Sequence, residues 1–515
     1  MLAGLAAVPQ PAEAQKSGGV LKAMLRENWP SMSIHEEATI SAVWPLMPVY
    51  SNLVLPDPAR PTESSDHLIG ELAESWHWSN DFHKLTFKLR HGVTWHDGKP
   101  FTSADVKTTY DNVREGKLKL NPRKGWYENV ASIDTAGDHE VVFNLKRPEP
   151  GMLALLASGY SPVYPAHIPT NEMRVHAVGT GPFMIKTIRP DEELVLTRNP
   201  HYFVKGRPYL DGIDFIVIKD RSARTAALVA NQLDIAFPGE GTSQIRDQLI
   251  KDAPSIVLTK VAQSVNVNLL LNTQKPPFND LKLRQAVNLA MDRETLNKTV
   301  YQGVLMPGGA ILPQPYGEFG LSESDLSKLP GWGDPAKDKA EARKLLAEAG
   351  YGPDHPLTVT VSTRAIAIYV DVAIWVIDQL KQVGIEATLA QFETGVWHPK
   401  LARREFEIAT NLTGVGSWDP DANLFENFAC GSQRNYTDYC TKEMQAMIEK
   451  QSEEPNPTRR VELVREIDRK LQIDAARPIL GHLVDFFAKW PYVKGLEPHN
   501  SVYNYGRMQD VWLDK

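Results

Sequence analysis

His91-Gly92-Val93-Thr94-Trp95-His96-Asp97-Gly98-Lys99-Pro100-Phe101-Thr102-Ser103-Ala104-Asp105-Val106 is the stretch on which the reading of this chain turns. His96-Asp97-Gly98 reads as a turn, because Gly98 tolerates positive φ and Asp97 can bond nearby backbone. Thr102 or Ser103 is placed to cap a helix that begins at Ala104. Strands flank the stretch: Leu85, Phe87 and Leu89 alternate with polar residues up to His91-Gly92, and Val141, Phe143 and Leu145 alternate before Pro148. His77, His83, His91 and His96 are close in sequence, but alternating strand faces and a turn scatter their rings, so no metal site is predicted.

Further out, Val20-Leu21-Lys22-Ala23-Met24 reads as a short strand, and Ile213 to Ile218 is apolar at nearly every position, as expected of a sheet-centre strand covered on both faces. In the second half Asp280 caps a helix bearing Leu283, Ala286, Val287 and Ala290. Asp334-Pro335 opens another, which carries Leu345, Leu346 and Ala349 and stops at Gly350. Leu357, Val359 and Val361 then form a strand, about Ile366 to Gln382 a helix closed near Gly384, and Ile385, Ala387 and Leu389 a strand. This β-α-β order implies parallel pairing. A chain of 515 residues exceeds one hydrophobic core, so at least two lobes are expected. With 42% hydrophobic and 23% charged residues it is a soluble globular chain. The net charge of −7 comes without a long basic run, so no nucleic acid partner is expected.

At the N-terminus, Leu2 to Val8 is a short apolar stretch followed by Ala12-Glu13-Ala14, a small-x-small pattern. It reads as a signal-peptide remnant over residues 1–15 cut after Ala14, or as an Ala/Pro-rich tail. Cys430 and Cys440 are the two cysteines; in an exported protein they are expected to pair, and in a cytosolic one they are ordinary thiols. The segment between them has no histidine that would complete a metal site.

The stretch from His91 to Val106 resembles the signature of the family-5 solute-binding proteins, which include dipeptide, oligopeptide and nickel binders. The same order of motifs continues through Leu72-Ala73-Glu74-Ser75-Trp76, Val178-Gly179-Thr180-Gly181-Pro182-Phe183, Asn199-Pro200-His201-Tyr202 and Arg284 to Arg293. It ends with Leu345 to Tyr351 and Trp418-Asp419-Pro420-Asp421. The resemblance implies an α/β, two-lobed periplasmic-binding-protein fold with a hinge and an extra subdomain inserted in the first lobe. Residues 16–54, 178–270 and 484–515 would form lobe I, residues 55–177 the inserted subdomain and residues 271–483 lobe II. Hinge strands are expected near Asn268 to Asn272 and near Leu483 to Phe486. Gly179 to Pro182 lacks the Lys-Ser/Thr of a phosphate loop and reads as a crossover near the hinge. The implied function is the periplasmic substrate-binding component of an ABC transporter, a monomer that captures a small solute or peptide and delivers it to the permease, with no enzyme activity, cofactor or metal. The rival readings are a secreted hydrolase, for which no Gly-x-Ser-x-Gly or His-Glu-x-x-His motif appears, and a binding protein serving chemosensing.

Arg364, at a strand end before a helix, suits bidentate binding of a carboxylate and resembles the arginine of dipeptide binders; a surface salt bridge is the other reading. Gly416 stands where the resemblance puts an aspartate that pairs with a peptide amine. Ordinary peptides are therefore disfavoured against an opine, sugar-linked or other carboxylated solute. Asp419 either replaces that aspartate or is a turn residue before the next helix. Trp29, Tyr50, Trp397, Trp418 and Tyr436 are candidate walls of the cleft, with core packing the alternative. Arg434 and Asn435, and Asn28 and His35 from the first lobe, are candidate donors.

Overall fold

The computed structural model describes residues 15–515, so the signal-peptide reading of Leu2 to Ala14 lies outside the described residues. Around the opening motif, Gly98 takes φ +85°, Trp95 N–H donates to Lys99 O at 2.8 Å and the Asp97 carboxylate accepts from Lys99 N–H at 3.2 Å. The helix Ser103–Arg114 starts one residue before Ala104, and Thr102 and Asp105 close a reciprocal capping box. It packs on a four-stranded antiparallel sheet ordered Ala73–Trp78, Lys84–Leu89, Glu140–Leu145, Val130–Thr135. The alternating residues Leu85, Phe87, Val141 and Phe143 are buried, and Phe87 meets Phe143 edge-on at 5.8 Å. His91 meets the ring of His139 at 3.8 Å with the planes tilted by 42°, His96 turns to the Gly179 and Gly181 backbone, and His83 bonds the Asp81 carbonyl.

A second four-stranded sheet pairs Val20–Leu25 in parallel with Gly212–Val217, which is followed by the antiparallel strands Glu193–Arg198 and Phe183–Arg189. The expectation that Ile213 to Ile218 is covered on both faces needs correction. Ile213 and Phe215 are buried, but Asp214, Ile216 and Val217 are only half-buried. The strand is interior along the hydrogen-bonding direction, yet one face carries an incomplete cover.

The third sheet has six strands in the order Leu305–Met306, Ile479–Lys489, Val257–Leu271, Ile408–Gly414, Leu357–Arg364, Ile385–Phe392. Its β-α-β unit is parallel with the helix Ala367–Gln382 between, and Asp280 and Asp334 cap the helices Leu281–Ala290 and Pro335–Glu348. The strand Val257–Leu271 keeps Ile479–Lys489 as a neighbour through Asn268 and gains Ile408–Gly414 on its other edge from Val265 onward. Val257–Ala262 pairs with Lys489–Val484, and after a register shift Asn266–Asn268 pairs with His482–Ile479, while Val265–Leu271 pairs with Gly414–Ile408 on the other side. Ile235 bridges both Ala23 and Lys489, which joins the Val20–Leu25 sheet to the early half of this strand pair. Cys430 and Cys440 form a disulfide with Cα atoms 5.0 Å apart.

Candidate functional site

The parallel strands Leu357–Arg364 and Ile385–Phe392 end together, Arg364 opposite Phe392, and each passes into a helix. Side chains at the carboxyl ends of such strands project into the crevice beyond the sheet. Arg364 is there, 2% exposed. Its Nε and Nη2 donate to Thr394 Oγ1 at 3.2 and 2.7 Å, and its Nη1 donates to Tyr369 Oη at 2.9 Å. The Nη2 also donates to Glu27 Oε1 at 2.7 Å. Glu27 follows the strand Val20–Leu25 of the other sheet, so the pair bridges elements 337 residues apart. Burial alone would raise the Glu27 carboxyl, but Arg364, Arg26 and the Ser41 and Thr394 hydroxyls outweigh it and hold it below the usual carboxylate range.

His398 lies one turn beyond Thr394 in the helix Thr394–Ala402, on the same face by its spacing. It borders both a 40 Å³ void shared with Arg364 and Tyr369 and a 150 Å³ void shared with Thr394, Arg434, Glu37 and Tyr436. Burial, then Arg364, Arg434 and Arg123, keep its ring neutral far below the ordinary histidine range. Arg434 pairs with Glu426, and Arg123 lies 3.7 Å from the same carboxylate with its guanidinium 3.3 Å from the centre of the Tyr160 ring. Neither ring nitrogen of His398, nor Arg123 Nε and Nη2, nor Arg434 Nε, has a hydrogen-bond partner among the described residues. This is a cation-rich seam that brings together segments far apart in the chain.

Of the residues singled out in the sequence, Arg364, Arg434 and Tyr436 border this seam. Arg364 is paired as a salt bridge would be, but in the interior and not at the surface. Asn28 is instead spent on exposed Asp191, and Trp29 is half-buried against the core. His35 bonds Pro162 O at 2.7 Å and Tyr50 donates to Met32 O at 2.7 Å, both inside the fold. Trp397 packs with Leu270, Leu401, Phe406 and Tyr436 in a small separate core. Asn435 donates to the carbonyls of Phe428, Ala429 and Tyr439, which shapes the disulfide loop. Asp419 is the turn residue: it caps the helix Pro420–Asn427 and takes both Arg460 donors at 2.7 and 2.8 Å. With Trp418 it lines a different cavity of 540 Å³. Gly416 has no space for a side chain, since a β-carbon there would lie 2.7 Å from Tyr160 and 2.8 Å from Ser158 Oγ. Glu27, Arg123, Tyr369, Thr394 and His398 escaped the sequence reading. Only Glu27, directly after a strand end and beside Arg26, carried a local signal.

Among the described residues no group of three or more histidine, cysteine, aspartate or glutamate side chains is disposed to hold a metal. The family model described as bacterial extracellular solute-binding proteins, family 5 Middle, matches residues 67–435. The di/tripeptide-binding protein 2 of Pseudomonas aeruginosa is 27% identical over 478 residues, 87% of this chain and 86% of that protein. The dipeptide-binding protein of Escherichia coli is 26% identical, with 83% of each covered. Two solved structures share the fold at low identity. The periplasmic binding protein DppA of Helicobacter pylori, in complex with the peptide STSA, has a TM-score of 0.86 at 22% identity and covers 97% of this chain and 99% of its own. The binding protein AgaA from A. tumefaciens, in complex with agropinic acid, has a TM-score of 0.85 at 20% identity, with 96% of this chain and 99% of its own covered.

Proposed function

The chain belongs to family 5 of the bacterial extracellular solute-binding proteins, and on that premise we propose that it is the periplasmic capture component of an ABC importer for a compact carboxylated solute without a free amine. Membership makes it a binding protein of transport and not an enzyme. The observation that carries the ligand reading is the Arg364–Glu27 pair: a protein carboxylate occupies Arg364 inside the seam, which is the chemistry a solute carboxylate would supply. Gly416, walled in by Tyr160 and Ser158, offers no carboxylate for an ammonium. The dipeptide-binding relatives support the transport role, and the agropinic acid complex shows that this fold accommodates a ligand that is not a peptide.

Capture then proceeds by closure. The first lobe carries Glu27 and the second carries Arg364, with residues 55–177 inserted in the first, and the two long strands Val257–Leu271 and Ile479–Lys489 run between them. The hinge strands remain those expected near Asn268 to Asn272 and near Leu483 to Phe486, and the register shift between Ala262 and Asn266, opposite Val484 and His482, interrupts the strand pairing beside them. A solute carboxylate exchanges with Glu27 at Arg364, and its contacts favour the closed state over the open one. Calorimetry tests the reading. Arg364→Ala should weaken a carboxylated solute by about 2–5 kcal/mol, the range for truncating one member of a buried charge pair. Micromolar binding of ordinary dipeptides to the wild type, or an unaltered affinity in the variant, contradicts it.

A further inference from the structure

Resting on the carboxylate-capture reading, we infer that the same site takes a second anionic group, held by Arg434 and His398 with Arg123 adding positive charge from behind Arg434, and that its solute is a dicarboxylate or comparable dianion. The argument is one of charge and of unmet hydrogen bonds. At one end of the seam Arg364 is neutralised by Glu27 and all its nitrogens are bonded. At the other end Arg434, Arg123 and Arg477 converge, each under 5% exposed. Glu426 is the carboxylate paired with Arg434, and it stands at 3.7 Å from Arg123. Glu37 gives Arg123 its backbone carbonyl at 2.5 Å, but burial pushes its carboxyl up to about 7, which weakens its charge near neutral pH. The neighbouring Glu36 is committed to Arg174 at 3.1 Å.

Three guanidiniums thus face one full carboxylate and one partial one. Their excess is matched by dangling donors: Arg123 Nε and Nη2, Arg434 Nε, Arg477 Nε and Nη1 and the Tyr160 hydroxyl all lack partners among the described residues. Buried donors left unpaired are costly, and buried like charges more so, unless an anion completes them. The 150 Å³ void beside Arg434, His398 and Thr394 has room for such a group. His398 and Ala38 border both this void and the smaller one beside Arg364, so the two anion positions lie on either side of the same residues. The neutral imidazole has no protein partner to lose and is free to donate one ring N–H to the second anion.

The test uses the full chain and a panel of simple probes, succinate, glutarate and adipate against propionate and butyrate, by calorimetry and thermal shift. A dicarboxylate should bind at least about tenfold more tightly than the monocarboxylates, a difference of about 1.4 kcal/mol. His398→Gln and Arg434→Gln should weaken the dicarboxylates about tenfold more than the monocarboxylates and so bring the two classes level, and Arg434→Lys should retain part of the difference. His398→Gln breaks no protein hydrogen bond, so it remains informative where Arg434→Gln fails to fold. Equal binding of mono- and dicarboxylates by the wild type, or equal weakening of both by His398→Gln, overturns the second subsite and leaves carboxylate capture standing. Binding of a dipeptide with none of the carboxylates bound overturns both.

Discussion

Gly416 illustrates what one absent side chain decides. With Tyr160 and Ser158 Oγ within 2.8 Å of where its β-carbon would be, the aspartate of a peptide-amine site cannot be restored there without displacing an aromatic ring. Gly416→Asp is therefore expected to lower the melting temperature, by overpacking of about 1–3 kcal/mol, and to give no dipeptide binding; a variant that folds normally and binds dipeptides would refute this. Asp419 has a different job. Asp419→Asn should cost about 1–3 kcal/mol of stability, since it removes one of two carboxylates from Arg460 while Asp421 at 3.1 Å still compensates the charge. Ligand affinity of the folded variant should not move, as thermal melts alongside calorimetry would show. At this scale the sequence was only partly legible. Arg364 stood out because a strand end followed by a helix start aims a side chain into a crevice. His398 did not, because its neighbours Arg123, Arg364 and Arg434 come from distant segments and no local pattern marks their meeting. Asn28, His35 and Tyr50 were drawn in by residue type, but hydrogen bonds within the first half of the chain consume them.

Among the elements, the disulfide loop links stability to the site. It spans a sequence separation of 10, and Arg434 and Tyr436 within it border the 150 Å³ void. Closing so short a loop is worth about 3 kcal/mol in the chain-entropy account, so Cys430→Ser with Cys440→Ser should lower the melting temperature by several degrees. Because the loop also holds Arg434, affinity should fall with it; reductant should reproduce both effects in the wild type. A wild type whose melting and binding ignore reductant would contradict this. Elements whose signals are local were well read: Asp280, Asp334 and Thr102 cap the helices assigned to them. The strand Gly212–Val217 was read as doubly covered because a continuous apolar run carries no information on how many layers surround it. The register shift within the pairing of Val257–Leu271 and Ile479–Lys489 was also invisible, since register depends on strands more than a hundred residues away.

For the whole molecule, burial of ionisable groups sets the pH response. Burial pushes Glu37 up to about 7 and raises Glu149, and Asp468 and Asp485 reach about 6 for the same reason. A carboxyl whose folded value exceeds its unfolded one stabilises the fold below the unfolded value, and this is lost as pH rises through the folded value. His35, His96 and His482, driven down to about 4 by burial, act in the other sense: their contribution is present above 6.5 and lost as pH falls towards 4. Between about pH 4.5 and 6.5 the two sets oppose, whereas above that window the histidines are silent and Glu37 and Glu149 still titrate. The melting temperature should therefore decline from about pH 6.5 to about pH 8, as calorimetric scans would record; a rise over that interval would contradict the assignment.

The central claim, that two lobes close on a carboxylated solute without a free amine, is met most directly by mass spectrometry of the small molecule that stays bound through gentle purification. The account predicts a compact anion with carboxylate groups and no primary amine, released when Arg364 is replaced by alanine. A di- or tripeptide recovered in stoichiometric amount from the wild type would contradict it.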